Sequence, residues 1–188
     1  FVKCDVFWNR YKEYYTNSSW KGSKELEGGA LYTQVSHFID LLIWWFGKPE
    51  KVKTNLSNKL HNIEIEDTGS TLLEFKNNIS GNINWTNCVY NKNYEGSITI
   101  IGEKGTIKIG GQYLNKIEFW DVQSYPIPEN IEFTDKPNNY GKYQGSSSNH
   151  HKVISDYIAA LSNKENTLVH GNEGKDVIET IEKIYNSA

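Results

Sequence analysis

The sequence predicts an α+β domain: an open, largely antiparallel β-sheet with its helices on one face. Strand-like runs follow one another at 51–58, 68–76, 81–90, 95–101, 105–109 and 116–122, separated by short turns and not by helices. Two helical patterns close the chain, at 150–162 and 173–187. One strongly apolar helix, 30–46, precedes the run of strands, so the strand–helix alternation of a parallel sheet is missing.

Each element has a local reason. Residues 1–8, FVKCDVFW, are β-prone and read as a strand. Residues 9–23 form a polar, aromatic loop containing NRYKEYY and SSWKGS. Residues 25–29 lead into the apolar helix, which Gly47 ends in the C′ position with Pro49 just beyond. Asn77-Asn78 and the GEKG of 102–105 are turn signals between strands. The stretch 125–148 is irregular and holds three of the four prolines. Ser148 or Asn149 serves as N-cap of the helix that begins at His150. No internal repeat is present.

Composition narrows the functional classes. A chain of 188 residues fits one domain with a real core. With a formal charge of −3 it has no basic excess, so a nucleic-acid partner is not expected. The longest apolar run, 41–46, is far shorter than the roughly 20 residues a spanning helix needs, so no membrane partner is expected either. Cys4 and Cys88 are far apart and suit reduced thiols, with neither a disulfide framework nor a metal site expected. No stretch has the charged flank and apolar centre of a secretory signal, and a cytoplasmic location is the expectation. The opening strand lacks a preceding turn, cap or initiator Met, and we expect further chain upstream.

The helix at 30–46 poses the functional question. On a wheel of about 100° per residue, Leu31, Val35, Phe38, Leu42 and Trp45 form one stripe, which should face the sheet. Thr33, His37, Asp40 and Trp44 form a second, roughly opposite, flanked by Ile39, Leu41 and Ile43. His37 therefore points away from the core onto a surface that another body covers. A histidine there suits either a hydrogen bond at a domain or subunit contact or an acid/base role. Asp40, one turn on, is either a solvated carboxylate or the group that orients the imidazole.

GGALYTQVSHFIDLLIWWFG, residues 28–47, resembles the signature helix of the glucose–fructose oxidoreductase / inositol dehydrogenase (Gfo/Idh/MocA) family, two-domain NAD(P)-dependent sugar oxidoreductases. The family pattern falls here on Gly28-Gly29, Thr33, His37, Asp40 and Gly47. WKG at 20–22, EDTGSTLLEFKNNISGNINW at 66–85, IIGEKGTIKI at 100–109 and the closing 148–188 are similar as well, so the resemblance spans nearly the whole chain. It covers the family's C-terminal, substrate-binding and oligomerising domain alone. No G-x-G-x-x-G occurs, Gly28-Gly29 and Gly110-Gly111 have the wrong spacing, and the family's Glu-Lys-Pro segment is absent. An N-terminal dinucleotide-binding domain is therefore expected to be missing from this chain, which would be inactive alone.

The resemblance implies roles. His37 is the acid/base that takes the hydroxyl proton while hydride leaves for the nicotinamide. The cofactor is NAD or NADP, bound mainly by the absent domain. Inositol-dehydrogenase-like members have Asp where this chain has Thr33, and a hydroxyl takes no proton at neutral pH. Thr33-Gln34 is similar to members acting on sugar nucleotides. The loop NRYKEYY…SWKG resembles the subgroup that oxidises C3 of UDP-N-acetyl-glucosaminuronic acid in lipopolysaccharide sugar biosynthesis. Substrate binding then falls to Arg10, Tyr14, Thr33, Asn149 and His150, and cofactor contact to Trp20, Lys21 and Gln34. The same loop also reads as an aromatic cluster pinned on the sheet, and Asn149 as a plain cap. His61, His151 and His170 lack any supporting pattern and read as surface residues. Residues 71–75 and 98–101 are apolar on both sides, which predicts a homodimer or homotetramer through the sheet face. The competing readings are a non-catalytic binding or assembly module of this fold, and a relative acting on another sugar or polyol.

Overall fold

The computed structural model describes residues 1–129, 131, 138–139, 144–145, 150–162, 164–165 and 170–188. Seven strands form one mixed sheet: β1 (Val2–Phe7), β2 (Lys51–Ser57), β3 (Thr68–Phe75), β4 (Ile79–Thr86), β5 (Glu95–Gly102), β6 (Gly105–Gly110) and β7 (Lys116–Val122). Their spatial order is β2-β3-β4-β1-β5-β6-β7. β1 lies antiparallel to β5 but parallel to β4, the only parallel pairing among these strands. A short ladder, β8 (Asn138–Asn139) with β9 (Gln144–Gly145), stands apart.

The parallel pairing follows from connectivity. β1 leaves the sheet through α1 (Lys12–Thr16), a π-turn at Leu31–Val35 and α2 (Ser36–Phe46) before the chain re-enters at β2. A strand followed by a crossover of that length can be flanked on both sides by later strands. Tight turns join β3 to β4 and β5 to β6 as expected, while longer loops link β2 to β3 and β4 to β5. Asn77 and Asn78 take φ of 58° and 60°, left-handed values that Asn tolerates better than most residues.

The core lies on the helix side of the sheet. Val2, Cys4, Val6 and Trp8 alternate inward along β1 and its extension, joined by Leu73, Phe75, Ile83, Trp85 and Ile98. Against them pack Leu31, Val35, Phe38, Ile39 and Leu42, and Val177, Ile181 and Ile184 of α4 (Gly171–Tyr185). Four of the five residues assigned to the inward stripe are at most 1% exposed; Trp45 is instead 38% exposed, in the last turn before Gly47, and Ile39 takes an inward place. α2 ends as expected, with Gly47 at φ 77° donating its N–H to Ile43 O at 2.8 Å. The loop expected at 9–23 contains the short helix α1. α3 (His150–Leu161) buries no side chain. Among the described residues no helix is long and apolar enough to cross a membrane.

Candidate active site at the head of the histidine helix

Two stretches of chain meet at the C-terminal end of β1. The first is the extension of β1. Trp8 N–H donates to Thr86 O and Arg10 N–H to Asn87 O, each at 2.9 Å, carrying residues 8–10 past the end of the sheet. The second is the π-turn that opens the histidine helix. π-turns cluster at functional sites because they re-aim the side chains they contain. This one turns Gln34 inward, to 4% exposure, and leaves Thr33 half-buried.

The π-turn is held from outside. Glu66 Oε1 accepts the Ala30 N–H at 3.0 Å and the Tyr185 hydroxyl at 2.8 Å, while Leu31 N–H donates to Tyr185 Oη at 3.1 Å. Leading N–H groups of a helical segment have no partner within it; here β3's flank and α4 supply two. Tyr32 stacks on Tyr185 with ring centroids 5.7 Å apart. Burial raises the pKa of Glu66 above the usual carboxylate value.

Arg10 is 1% exposed. Its Nη1 donates to Asn9 O at 2.7 Å and its Nη2 to Gln34 Oε1. The guanidinium carbon lies 5.3 Å from the Trp8 ring centroid and 5.2 Å from that of Tyr14. Gln34 Nε2 donates in turn to Tyr14 Oη at 3.1 Å and to Thr33 Oγ1 at 3.4 Å. Thr33 donates its hydroxyl to Glu27 Oε1 at 2.9 Å, and the other Glu27 oxygen accepts the Gly22 N–H. Lys21 Nζ sits 3.6 Å from the Tyr14 ring centroid, and desolvation lowers its pKa against the opposing pull of Glu27. Trp20, 43% exposed, lies beside it with its ring centroid 5.6 Å from Lys21 Nζ. One continuous network thus joins Arg10, Tyr14, Lys21, Thr33 and Gln34 with Trp20 at its rim.

His37 stands at the edge of the same aromatic floor. Its ring is stacked on Trp8, centroids 5.8 Å apart and planes 24° apart, and lies 4.7 Å from Phe38. Desolvation by this packing lowers its pKa from 6.5 to about 4. His37 is nonetheless exposed, and water on its open side limits how far that lowering goes. The direction leaves a neutral imidazole at pH 7. Among the described residues no hydrogen bond joins His37 to Asp40. Asp40 is half-buried, and its pKa is raised by desolvation and by Glu173 of α4.

Of the remaining sequence-predicted residues, Asn149 lies outside the described residues. His150 is exposed at the start of α3, and among the described residues no hydrogen bond or ring contact links it to the cluster. The sequence reading missed Trp8 and Glu27. Trp8 had a signal, since it continues the inward alternation of Val2, Cys4 and Val6.

His61 is not the surface residue expected. Its side chain is only 6% exposed, with Nδ1 at 3.1 Å from Asp67 Oδ2 and Nε2 at 2.7 Å from Arg10 O. It ties the loop after β2 to the backbone beneath the site. His61, Asp67 and Cys88 bring one donor atom each within 4.8 Å of one another, a spacing a metal ion can bridge. The Asp67 carboxylate is already engaged by the N–H groups of Lys59, Leu60 and His61 and by the Thr68 hydroxyl. Burial pushes the Asp67 pKa up, but the His61, Leu60 and Lys59 N–H groups outweigh it and hold the carboxyl down at about 2. Burial raises the Cys88 pKa and keeps the thiol protonated. The trio is saturated as a loop anchor. A cavity of about 590 Å³ lies against the same segment, lined by Arg10, Tyr15, Leu60, His61, Cys88 and Tyr90 among others.

Comparison with known proteins agrees with this architecture. Residues 1–188 match the family described as "Oxidoreductase family, C-terminal alpha/beta domain". The WlbA dehydrogenase of Bordetella pertussis, solved with NADH and UDP-GlcNAcA, is 34% identical with a TM-score of 0.82; the alignment covers 100% of this chain and 51% of that one. The WlbA dehydrogenase of Chromobacterium violaceum, solved with the same two molecules, is 35% identical with a TM-score of 0.84 and the same coverage. An uncharacterized oxidoreductase of Synechocystis is 31% identical over 108 residues, 51% of this chain and 29% of that protein. The chain therefore spans about half the length of the WlbA enzymes and less of the Synechocystis protein.

Proposed function

The chain belongs to this oxidoreductase family as its C-terminal alpha/beta domain, and on that footing we propose that it is the substrate half of an NAD-dependent sugar-nucleotide dehydrogenase. The reaction is oxidation of the C3 hydroxyl of a UDP-N-acetyl-hexosaminuronate. The observation that carries this reading is an exposed imidazole, held toward its neutral form, on one aromatic floor with a buried Arg10 network. The likeness to two dehydrogenases solved with NADH and UDP-GlcNAcA supports it.

His37 accepts the hydroxyl proton on a ring nitrogen, for which a neutral ring is required. NAD bound by an upstream dinucleotide-binding domain supplies the hydride acceptor. Exposed Trp20 and the cation of Lys21 fit the rim that meets that cofactor. Gln34, buried against Arg10 and Tyr14, supports the rim from below. Thr33 and Tyr14 present hydroxyls to the sugar, while Arg10, beneath them, makes the floor electropositive for a uronate carboxylate. His150, exposed at the start of α3, is a further candidate for a substrate contact, resting on the family resemblance alone. The setting proposed is the cytoplasm, which suits Cys4 and Cys88 as free thiols. With its upstream domain present, the protein should form NADH from NAD and UDP-GlcNAcA but not from inositol. NADH formation from inositol alone would overturn the substrate assignment.

The open sheet face serves assembly. Leu72 of β3 and Phe119 of β7 lie in one cross-strand row and are 57% and 51% exposed. We expect a homodimer or homotetramer through this face by light scattering at micromolar protein; a monomer would contradict it.

A further inference from the structure

We propose that Trp8 is a positioning residue for His37: its indole fixes the plane of the imidazole, the part that one reading of the sequence gave to the Asp40 carboxylate, and links that ring to Arg10. The inference rests on the reading of His37 as the base.

Trp8 is a rigid support. It is 4% exposed. Its Nε1–H donates to Gln112 O at 3.2 Å, its main-chain N–H to Thr86 O at 2.9 Å, and its carbonyl accepts the Val89 N–H at 3.2 Å. Phe38 meets the indole edge-on at 5.9 Å, and Tyr113 lies 6.3 Å away. His37 lies nearly parallel to this fixed ring, within the 4.5–7 Å range in which aromatic pairs attract. With no hydrogen bond between His37 and Asp40 among the described residues, the stack is what defines the ring plane.

The same indole carries the Arg10 guanidinium. Protonating His37 would place a second cation against a ring system that already serves one. Of the charged groups on the neighbouring elements, Arg10 of the β1 extension lies over the Trp8 ring, and Asp40 stands one turn on in α2, itself beside Glu173 of α4. Desolvation, to which the indole contributes, is what lowers the His37 pKa. Trp8 thus favours the form that accepts a proton.

The test is the pH dependence of kcat/KM for Trp8→Phe and Trp8→Leu, in the protein with its cofactor domain. The wild-type acid limb should lie clearly below the ordinary 6.5, in the direction of 4. In Trp8→Leu it should move up toward the ordinary 6.5, lowering activity at pH 5 by about tenfold to thirtyfold relative to the plateau. Trp8→Phe keeps a ring but loses the bond to Gln112, and its limb should fall between. A purely structural role would reduce stability without moving the limb, and an unmoved limb overturns the proposal. Should the Leu variant not fold, the Phe variant decides by the same criterion. Failure of the base assignment looks different: His37→Asn would then retain the wild-type rate and acid limb.

Discussion

Replacing His37 by Asn, in the protein carrying its cofactor domain, lowers kcat by about 10²- to 10⁴-fold while leaving fold and sugar-nucleotide binding intact. An amide keeps the polarity and much of the volume of an imidazole, but it accepts no proton at neutral pH. His37 is exposed, and among the described residues its ring contacts are with Trp8 and Phe38, so limited packing is lost. The variant also removes a pH dependence of stability. The folded-state pKa lies below 6.5, so the unfolded chain binds the proton more readily. Wild-type stability from this group is complete above 6.5 and declines as pH falls through 6.5 toward 4; in His37→Asn that decline is absent. Steady-state kinetics with denaturation at two pH values checks both effects, and a variant with unaltered kcat would remove His37 from the chemistry.

The second large effect is on architecture. Gly29→Ala should destabilise the domain by about 2–4 kcal/mol, measured by chemical denaturation. Gly29 sits at φ 145°, where a side chain is strained whatever the space. An added Cβ would fall 1.9 Å from Tyr185 Oη and 3.2 Å from Glu66 Oε2. The methyl would push Tyr185 off both Glu66 and the Leu31 N–H, leaving a buried carboxylate and a helix-end N–H short of partners. The π-turn would shift with them, and turnover should fall because Gln34 and His37 follow that turn. A change below about 0.5 kcal/mol would show that the Tyr185–Glu66 clamp is not what requires glycine.

The Gly-Gly pair was legible in the sequence as part of a motif, but its reason was not. Tyr185 and Glu66 lie far from it along the chain, and no local pattern brings them together. Local periodicity placed most of the inward stripe of the histidine helix, with Leu31, Val35, Phe38 and Leu42 at most 1% exposed, but it put Trp45 inward and Ile39 beside the outer stripe, the reverse of what the fold shows. The π-turn at Leu31–Val35 was not legible, since the wheel assumes one pitch throughout, and it is this turn that carries Gln34 inward. The strands of the sheet were readable from turn residues such as Asn77-Asn78. The parallel β1–β4 pairing was not, since it depends on where a crossover deposits a strand. The site shows the same division. Arg10, Tyr14, Lys21, Thr33 and Gln34 were named from resemblance, and the fold gathers them into one network. Of the two readings of Asp40, the orienting one has no hydrogen bond behind it among the described residues, and His37 is instead stacked on Trp8. His61, unremarkable in the sequence, is buried because its two ring nitrogens meet Asp67 and the Arg10 carbonyl.

The central claim, that this domain presents a sugar-nucleotide C3 hydroxyl to His37 for hydride transfer, is tested most directly by isotope transfer. UDP-GlcNAcA deuterated at C3 would be incubated with NAD and the protein carrying its cofactor domain, and the reduced cofactor examined by mass. The account predicts deuterium in the NADH and a 3-keto sugar nucleotide. NADH free of deuterium, or deuterium retained in an oxidised sugar, would contradict it.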